Sequence, residues 1–252
     1  MLIALAIIIL VVGANIVRSN AVVRELQVRV RYNGCDTLVS AATIERAINT
    51  TMPTMMSLKV KEIDTRNIKQ CVMRSPYIEN CQAYVSILGN VVVKADQRHP
   101  LLHVYQNGRQ YYIDRQGRYM PLSNEGMAHV TIASGHLHTN DTLINISTDF
   151  SLWQNDTLLQ LNDMSHLWIL AHYIDDNGYG SLFDQIYRDQ NGDFILTPKA
   201  GTHVVNVGNT DDLDDKLERL MALYDQALPR VGWDRYKVVN LKYNDQVVCK
   251  KR

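Results

Sequence analysis

Residues 68–122 read IKQCVMRSPYIENCQAYVSILGNVVVKADQRHPLLHVYQNGRQYYIDRQGRYMPL, and the reading of this stretch decides the fold. Gly89-Asn90 separates the runs Ala83–Leu88 and Val91–Ala95, and Asn107-Gly108 separates Leu101–Tyr105 from Gln110–Ile113. Two residues of that type between β-branched or aromatic runs predict tight hairpins with primed turns. Pro100 disfavours helix at His99 and brings no N–H to a central ladder, so Arg98-His99-Pro100 suits a joint between two domains.

Working upstream, Leu26, Val28 and Val30 alternate with polar residues over Arg24–Tyr32, which predicts a half-buried strand ended by Asn33-Gly34. Ser40 fits the N-cap of a helix through about Asn49 that buries Ile44, Ala47 and Ile48. A second short helix starts near Asp64, buries Ile68, Cys71 and Val72, and stops at Ser75-Pro76. With the hairpin of residues 81–97 this gives β-α-α-β-β over residues 22–98, a module just large enough to fold alone.

Downstream, residues 99–252 read as a larger, mainly antiparallel β domain with two helices, Asp156–Ile174 and Asp212–Leu228. The first would turn Leu159, Met164, Leu167, Trp168, Ala171 and Ile174 inward, the second Leu213, Leu217, Leu220, Met221, Tyr224 and Leu228. Strands are expected at Phe183–Tyr187 and Phe194–Leu196 around Asn191-Gly192, at His203–Val207, and over the terminal region Tyr236–Cys249. The whole is α+β.

Residues 1–17 (MLIALAIIILVVGANIV) carry no charge. As a helix they would cover roughly 25 Å of a hydrocarbon core about 30 Å thick. No basic residue precedes the run and no small-residue cleavage site follows it, which favours a single-pass anchor over a signal peptide. The same missing basic flank predicts a true start further upstream. Arg18, Arg24, Arg29 and Arg31 all follow the run, so charge asymmetry alone does not orient it.

A formal net charge of 0 with no basic block gives no argument for nucleic acid. Cys35, Cys71, Cys81 and Cys249 form no CxxC spacing. Cys71 with Cys81 is the first pair to test for a disulfide, and buried free thiols are the alternative. Catalytic motifs are missing: no G-x-S-x-G, H-E-x-x-H, P-loop or dinucleotide-binding glycine run occurs. His129, His136 and His138 could share a metal but lack an identifiable carboxylate or cysteine partner, so ordinary exposed histidines is the reading. Asp189–Asp193 is half a calcium loop at best and better explained as a hairpin turn. The run Asp211, Asp212, Asp214 and Asp215 suits a helix start. Sequons at Asn49, Asn140, Asn145 and Asn155 require no glycan. No cofactor, metal or small-molecule substrate is expected.

Taken in order, these segments resemble the bacterial division protein family FtsQ/DivIB over almost the whole chain. Ser75-Pro76-Tyr77-Ile78 followed by Cys81–Val85 resembles the family's proline-aromatic turn leading into strands. His99-Pro100 falls where a Glu/x-Pro pair is usual. Tyr111-Tyr112-Ile113-Asp114 with Gly117 is similar to its D-x-x-G segment. Asn191-Gly192 through Leu196, Gly201, Gly208, Lys216-Leu217 and Leu220 follows its late-domain pattern. Val239-Asn240-Leu241-Lys242-Tyr243 with Gln246-Val247-Val248 looks like its terminal strand.

The resemblance implies a transmembrane anchor, a POTRA module and a β domain. It implies a non-enzymatic divisome scaffold in the cytoplasmic (inner) membrane, with its bulk on the extracytoplasmic side at the septum. The partners implied are small coiled-coil proteins of the FtsB and FtsL type. A late edge strand can accept a partner segment as one more strand. Tyr243 is then the expected aromatic anchor, with Leu241, Lys242, Asn244, Gln246, Val247 and Val248 around it. The alternative is that Tyr243 simply caps the β core. For the POTRA module the resemblance implies recruitment, with Arg29 and Arg31 on the edge strand as candidates and a plain spacer as the alternative. Two other classes are a POTRA-containing transport or outer-membrane assembly factor, which no long run of barrel strands supports, and a periplasmic metal hydrolase using the three histidines.

Overall fold

The computed structural model describes residues 19–137 and 163–252. The expected anchor at 1–17, the first turns of the helix expected from Asp156, His138, and the sequons at Asn140, Asn145 and Asn155 lie outside the described residues. Among those described, no helix is long and apolar enough to cross a membrane. The described chain divides into two units, one reaching His99 and adding Ser123–Met127, the other comprising Pro100–Leu122 and the chain from Ala128 on.

The first unit is built from β1 (Leu26–Arg31), α1 (Ala41–Thr51), α2 (Thr65–Met73), β2 (Ile78–Val85) and β3 (Val91–Gln97). Its sheet order is β1-β3-β2, with β3 parallel to β1 and antiparallel to β2. The central position of β3 explains its composition: Val91, Val93 and Ala95 are fully buried. Each buried Val or Ile is worth roughly 1.5–3 kcal/mol. The helix starts are chemically fixed. Ser40 Oγ accepts from Thr43 N at 3.2 Å, and Asp64 Oδ1 accepts from Arg66 N at 2.9 Å. Facing the sheet, α1 buries Ile44 and Ile48 while α2 buries Ile68, Cys71 and Val72.

Gln97, buried at the end of β3, holds the chain ahead of α1. Its Oε1 accepts from Leu38 N at 2.7 Å and Val39 N at 3.2 Å, and its Nε2 donates to Asp36 O at 2.8 Å. Ser123–Met127 returns to the same place, where Glu125 accepts from Ser40 N at 2.8 Å. All four cysteines are free thiols. Cys71 Sγ donates to Thr51 Oγ1 at 3.4 Å, and so does not take up the pairing with Cys81 raised above.

The first hairpin differs from expectation in its turn. Val85 pairs with Val91, so five residues, Ser86–Asn90, make the loop rather than two, with Gly89 at φ 82°. Ile87 and Leu88 thereby leave the strand and sit at the tip.

The second unit is a sheet of nine strands in the order β12-β11-β10-β9-β8-β7-β4-β5-β6. The strands are β4 (Pro100–Gln106), β5 (Arg109–Asp114), β6 (Tyr119–Met120), β7 (Thr131–Gly135), β8 (Phe183–Arg188), β9 (Phe194–Pro198), β10 (Val204–Gly208), β11 (Tyr236–Asn240) and β12 (Val248–Lys251). Asn107 and Gly108, at φ 49° and 76°, make the predicted two-residue turn between β4 and β5. Gly117 and Asp114 explain the D-x-x-G segment: buried Asp114 accepts from Gln116 N at 2.9 Å and Arg118 N at 2.7 Å, capping the turn into β6.

The sheet is mixed. Five of its eight neighbouring pairs are antiparallel, but β4–β7, β7–β8 and β10–β11 are parallel. The two sequence-predicted helical regions account for two of these three, and the β4–β7 crossover carries β5 and β6. Parallel neighbours need a long crossover. That between β7 and β8 contains α3 (Asp163–Asp176), and that between β10 and β11 contains α4 (Leu213–Ala222), which continues through a π turn (Leu223–Ala227) into α5 (Leu228–Val231). Met164, Leu167, Leu170 and Ile174 of α3 and Leu213, Leu217 and Leu220 of α4 join one core with Leu102, Val104, Ile113, Ile186, Leu196, Val205 and Val239 of the sheet. The terminal region is not one strand over Tyr236–Cys249 but the antiparallel hairpin β11–β12, reversing around Asp245 at φ 57°.

Candidate partner-binding edge

Among the described residues β12 is the last strand of the sheet and pairs on one side only, with β11, through Tyr236↔Lys251, Val238↔Lys250, Val239↔Cys249 and Asn240↔Val248. Such a strand leaves backbone donors and acceptors facing outward. Its side chains divide by face. Cys249 is half-buried against the core, and burial raises its thiol pKa. Val248 is 42% exposed, and Lys250 and Lys251 are exposed.

The loop between β11 and β12 holds most of the residues expected to bind a partner. Tyr243 is 51% exposed, so about half of it is open to solvent. Asn244 and Gln246 are exposed beside it, and Val247 is partly buried against the core. Leu241 is fully buried in the core, and its N–H donates to Asn206 O at 2.8 Å. It is therefore out of a partner's reach, and its part is to fix where the loop leaves the sheet. Lys242 is also committed: its Nζ lies 2.7 Å from Asp193, and that bond raises the ammonium pKa.

Three residues outside the expected binding set give the loop its shape. Arg219, on α4, donates to Tyr243 O at 2.8 Å and to Gln246 O, with Leu241 O at 3.5 Å, while pairing with Asp215 at 2.7 Å. A planar guanidinium with several fixed donors suits this gathering of carbonyls. Asp193, after the Asn191-Gly192 turn, accepts from Lys242 and from Asn206 Nδ2 at 3.2 Å. Gly208 ends β10 at φ 75°, where a Cβ would lie 2.7 Å from Lys242 Cγ. The i,i+4 spacing of Asp215 and Arg219 is visible in the sequence, but it reads as an ordinary helix-surface pair.

The other candidates lie elsewhere. Arg29 is exposed on β1, an edge strand of the small sheet, in register with Lys94. Arg31 is engaged by Asp96, with Nη2–Oδ2 at 2.9 Å. His136 follows β7 and its N–H donates to Arg188 O at 2.8 Å. Among the described residues no three His, Cys, Asp or Glu side chains gather as a metal site. The Asp189–Asp193 turn closes on itself, Asp189 Oδ1 accepting from Asn191 N at 2.8 Å and Asp193 N at 2.9 Å.

Two families match this architecture. One described as "FtsQ/DivIB, C-terminal related" covers residues 99–250, including all nine strands of the large sheet but for the last residue of β12. The chain belongs to the FtsQ/DivIB family. A POTRA-like domain matches residues 21–96, over the small unit. No curated protein matches the chain. Membership of the FtsQ/DivIB family gives the chain a scaffold role among septum-associated, non-enzymatic cell-division proteins.

Proposed function

We propose that this FtsQ/DivIB-family chain links division proteins by accepting a segment of a small coiled-coil partner, of the FtsB or FtsL type, along β12. The observation that carries the reading is the open outer edge of β12 beside an exposed Tyr243 whose loop Arg219 holds in place. Backbone pairing would supply affinity, and Tyr243, Asn244, Gln246 and Val248 would supply specificity. Lys250 and Lys251, with exposed Lys237 on β11, give the edge a positive charge that suits an acidic partner segment. Residues 1–17 would anchor the chain in the cytoplasmic membrane, with both units extracytoplasmic. A Tyr243→Ala chain with an unchanged thermal midpoint is expected to lose its partner. Unaltered partner affinity in that chain would refute the docking role.

For the small unit we propose recruitment to the septum through the open edge of β1. Arg29 is the better probe, because reversing Arg31 also sets a like charge against Asp96. A folded Arg29→Glu chain is expected to leave the septum, and retention there would favour a spacer.

A further inference from the structure

We propose that the Ser86–Asn90 loop of the small unit inserts its tip into the lipid interface, beside the point where the chain leaves its membrane anchor. The proposal rests on the anchor reading of residues 1–17. Ile87 is 81% exposed and Leu88 68%, the two highest values for large apolar side chains among the described residues. A hairpin turn needs neither; glycine and short polar residues serve it better. The loop is also closed on itself, as a segment leaving water must be. Ser86 N donates to Asn90 O at 2.8 Å, Gly89 N to Ser86 O at 3.1 Å, and Asn90 N to Ser86 Oγ at 3.1 Å.

Its position supplies the occupant. Arg24 N donates to Gly89 O at 3.2 Å, and a Cβ on Gly89 would meet Val60 Cγ2, Arg24 Cγ and Val22 O at 3.8–4.0 Å. Val60 N donates to Ala21 O at 2.9 Å, and Lys61 Nζ to Asn20 Oδ1 at 2.8 Å. The loop therefore stands against residues 20–24, of which Val22 lies five residues beyond the uncharged run that ends at Val17. Five residues span at most roughly 18 Å. Val22, half exposed, adds an apolar side chain to residues 20–24, and its carbonyl would lie 4.0 Å from a Cβ on Gly89. Arg24, Lys59 and Lys61 are exposed around it, with Glu25 and Glu62 the neighbouring acids. An apolar tip ringed mainly by basic side chains matches a bilayer interface with anionic headgroups.

The test uses the full chain reconstituted into phosphatidylethanolamine–phosphatidylglycerol vesicles with brominated acyl chains. Flotation reports the anchor. Tryptophan quenching in Leu88→Trp, above the background of the unsubstituted chain, reports the tip. Tyr32→Trp is the comparator, since Tyr32 follows the far end of β1, a strand about 20 Å long. The expected result is flotation of every chain, with roughly twofold extra quenching at position 88, reduced iodide access there, and neither change at position 32. Flotation without extra quenching at position 88 overturns the tip and leaves the anchor standing, as it would if the loop served a protein partner. A chain that fails to float overturns both. An Ile87→Ser variant of Leu88→Trp with an unchanged melting profile should lose part of the quenching, and full retention also counts against the proposal.

Discussion

The two edges of the large sheet solve one physical problem in opposite ways. At one end β6 is two residues long, and both Tyr119 and Met120 are buried. At the other, β12 is four residues long and exposes Val248, Lys250 and Lys251. A short buried edge cannot template another strand, whereas an exposed edge can, and lysines along it discourage pairing with a copy of itself. Among the described residues the β12 edge is open, and its charge restricts what can pair there. Under the proposed docking, Val248 and the Tyr243 loop would serve binding, whereas Met120 serves stability.

Substitutions can break or sharpen this contrast. The largest effect is expected at the closed edge. Met120→Ala should cost about 2–5 kcal/mol in denaturant unfolding through the cavity it leaves, with partner affinity per folded molecule unchanged. Arg219→Ala should come next, at about 2–3 kcal/mol, because it deprives the Tyr243 and Gln246 carbonyls of a charged donor. Unlike Met120→Ala it should also weaken partner binding. Gly208→Ala should cost roughly 1–2 kcal/mol, from the positive φ and the encounter with Lys242, and shift the loop on the partner side.

A pH effect belongs to the interior near the open edge. His203 is buried against Tyr224, with Nε2 2.9 Å from the hydroxyl, and burial lowers its pKa. A depressed histidine pKa means that the unfolded chain binds the proton more readily. Its stability contribution is therefore complete above the unfolded value of about 6.5 and is lost as pH falls from there toward the lower folded value. A His203→Gln chain should show a shallower fall of melting temperature below pH 6.5. The smallest stability effect is expected from Lys250→Glu with Lys251→Glu, within about 0.5 kcal/mol, although partner affinity should fall at least about tenfold.

Much of the fold was legible in the sequence because its signals are local. Ser40 and Asp64 mark helix starts by side chains that cap their own helices, and Asn107-Gly108 specifies its turn by allowing positive φ at both positions. The parallel pairs were not legible from alternation alone, which is the same for strands on either side of a crossover. Placing α3 and α4 between strands was the available clue. At the candidate site Tyr243 stood out as an aromatic in a terminal pattern. Leu241 looked equivalent by alternation, but burial separates them. Arg219 and Asp193 act on the loop from far along the chain, across 24 and 49 residues, so no local pattern names them.

The central claim is that the β12 edge and the Tyr243 loop capture the partner, and one purification tests it. Tagged full-length protein would be isolated from its native membranes beside a Tyr243→Ala, Lys250→Glu, Lys251→Glu chain of equal melting temperature, and the eluates compared by quantitative mass spectrometry. The account predicts small single-pass coiled-coil proteins with the unsubstituted chain and their loss from the variant. Equal recovery of those proteins with both chains would contradict it.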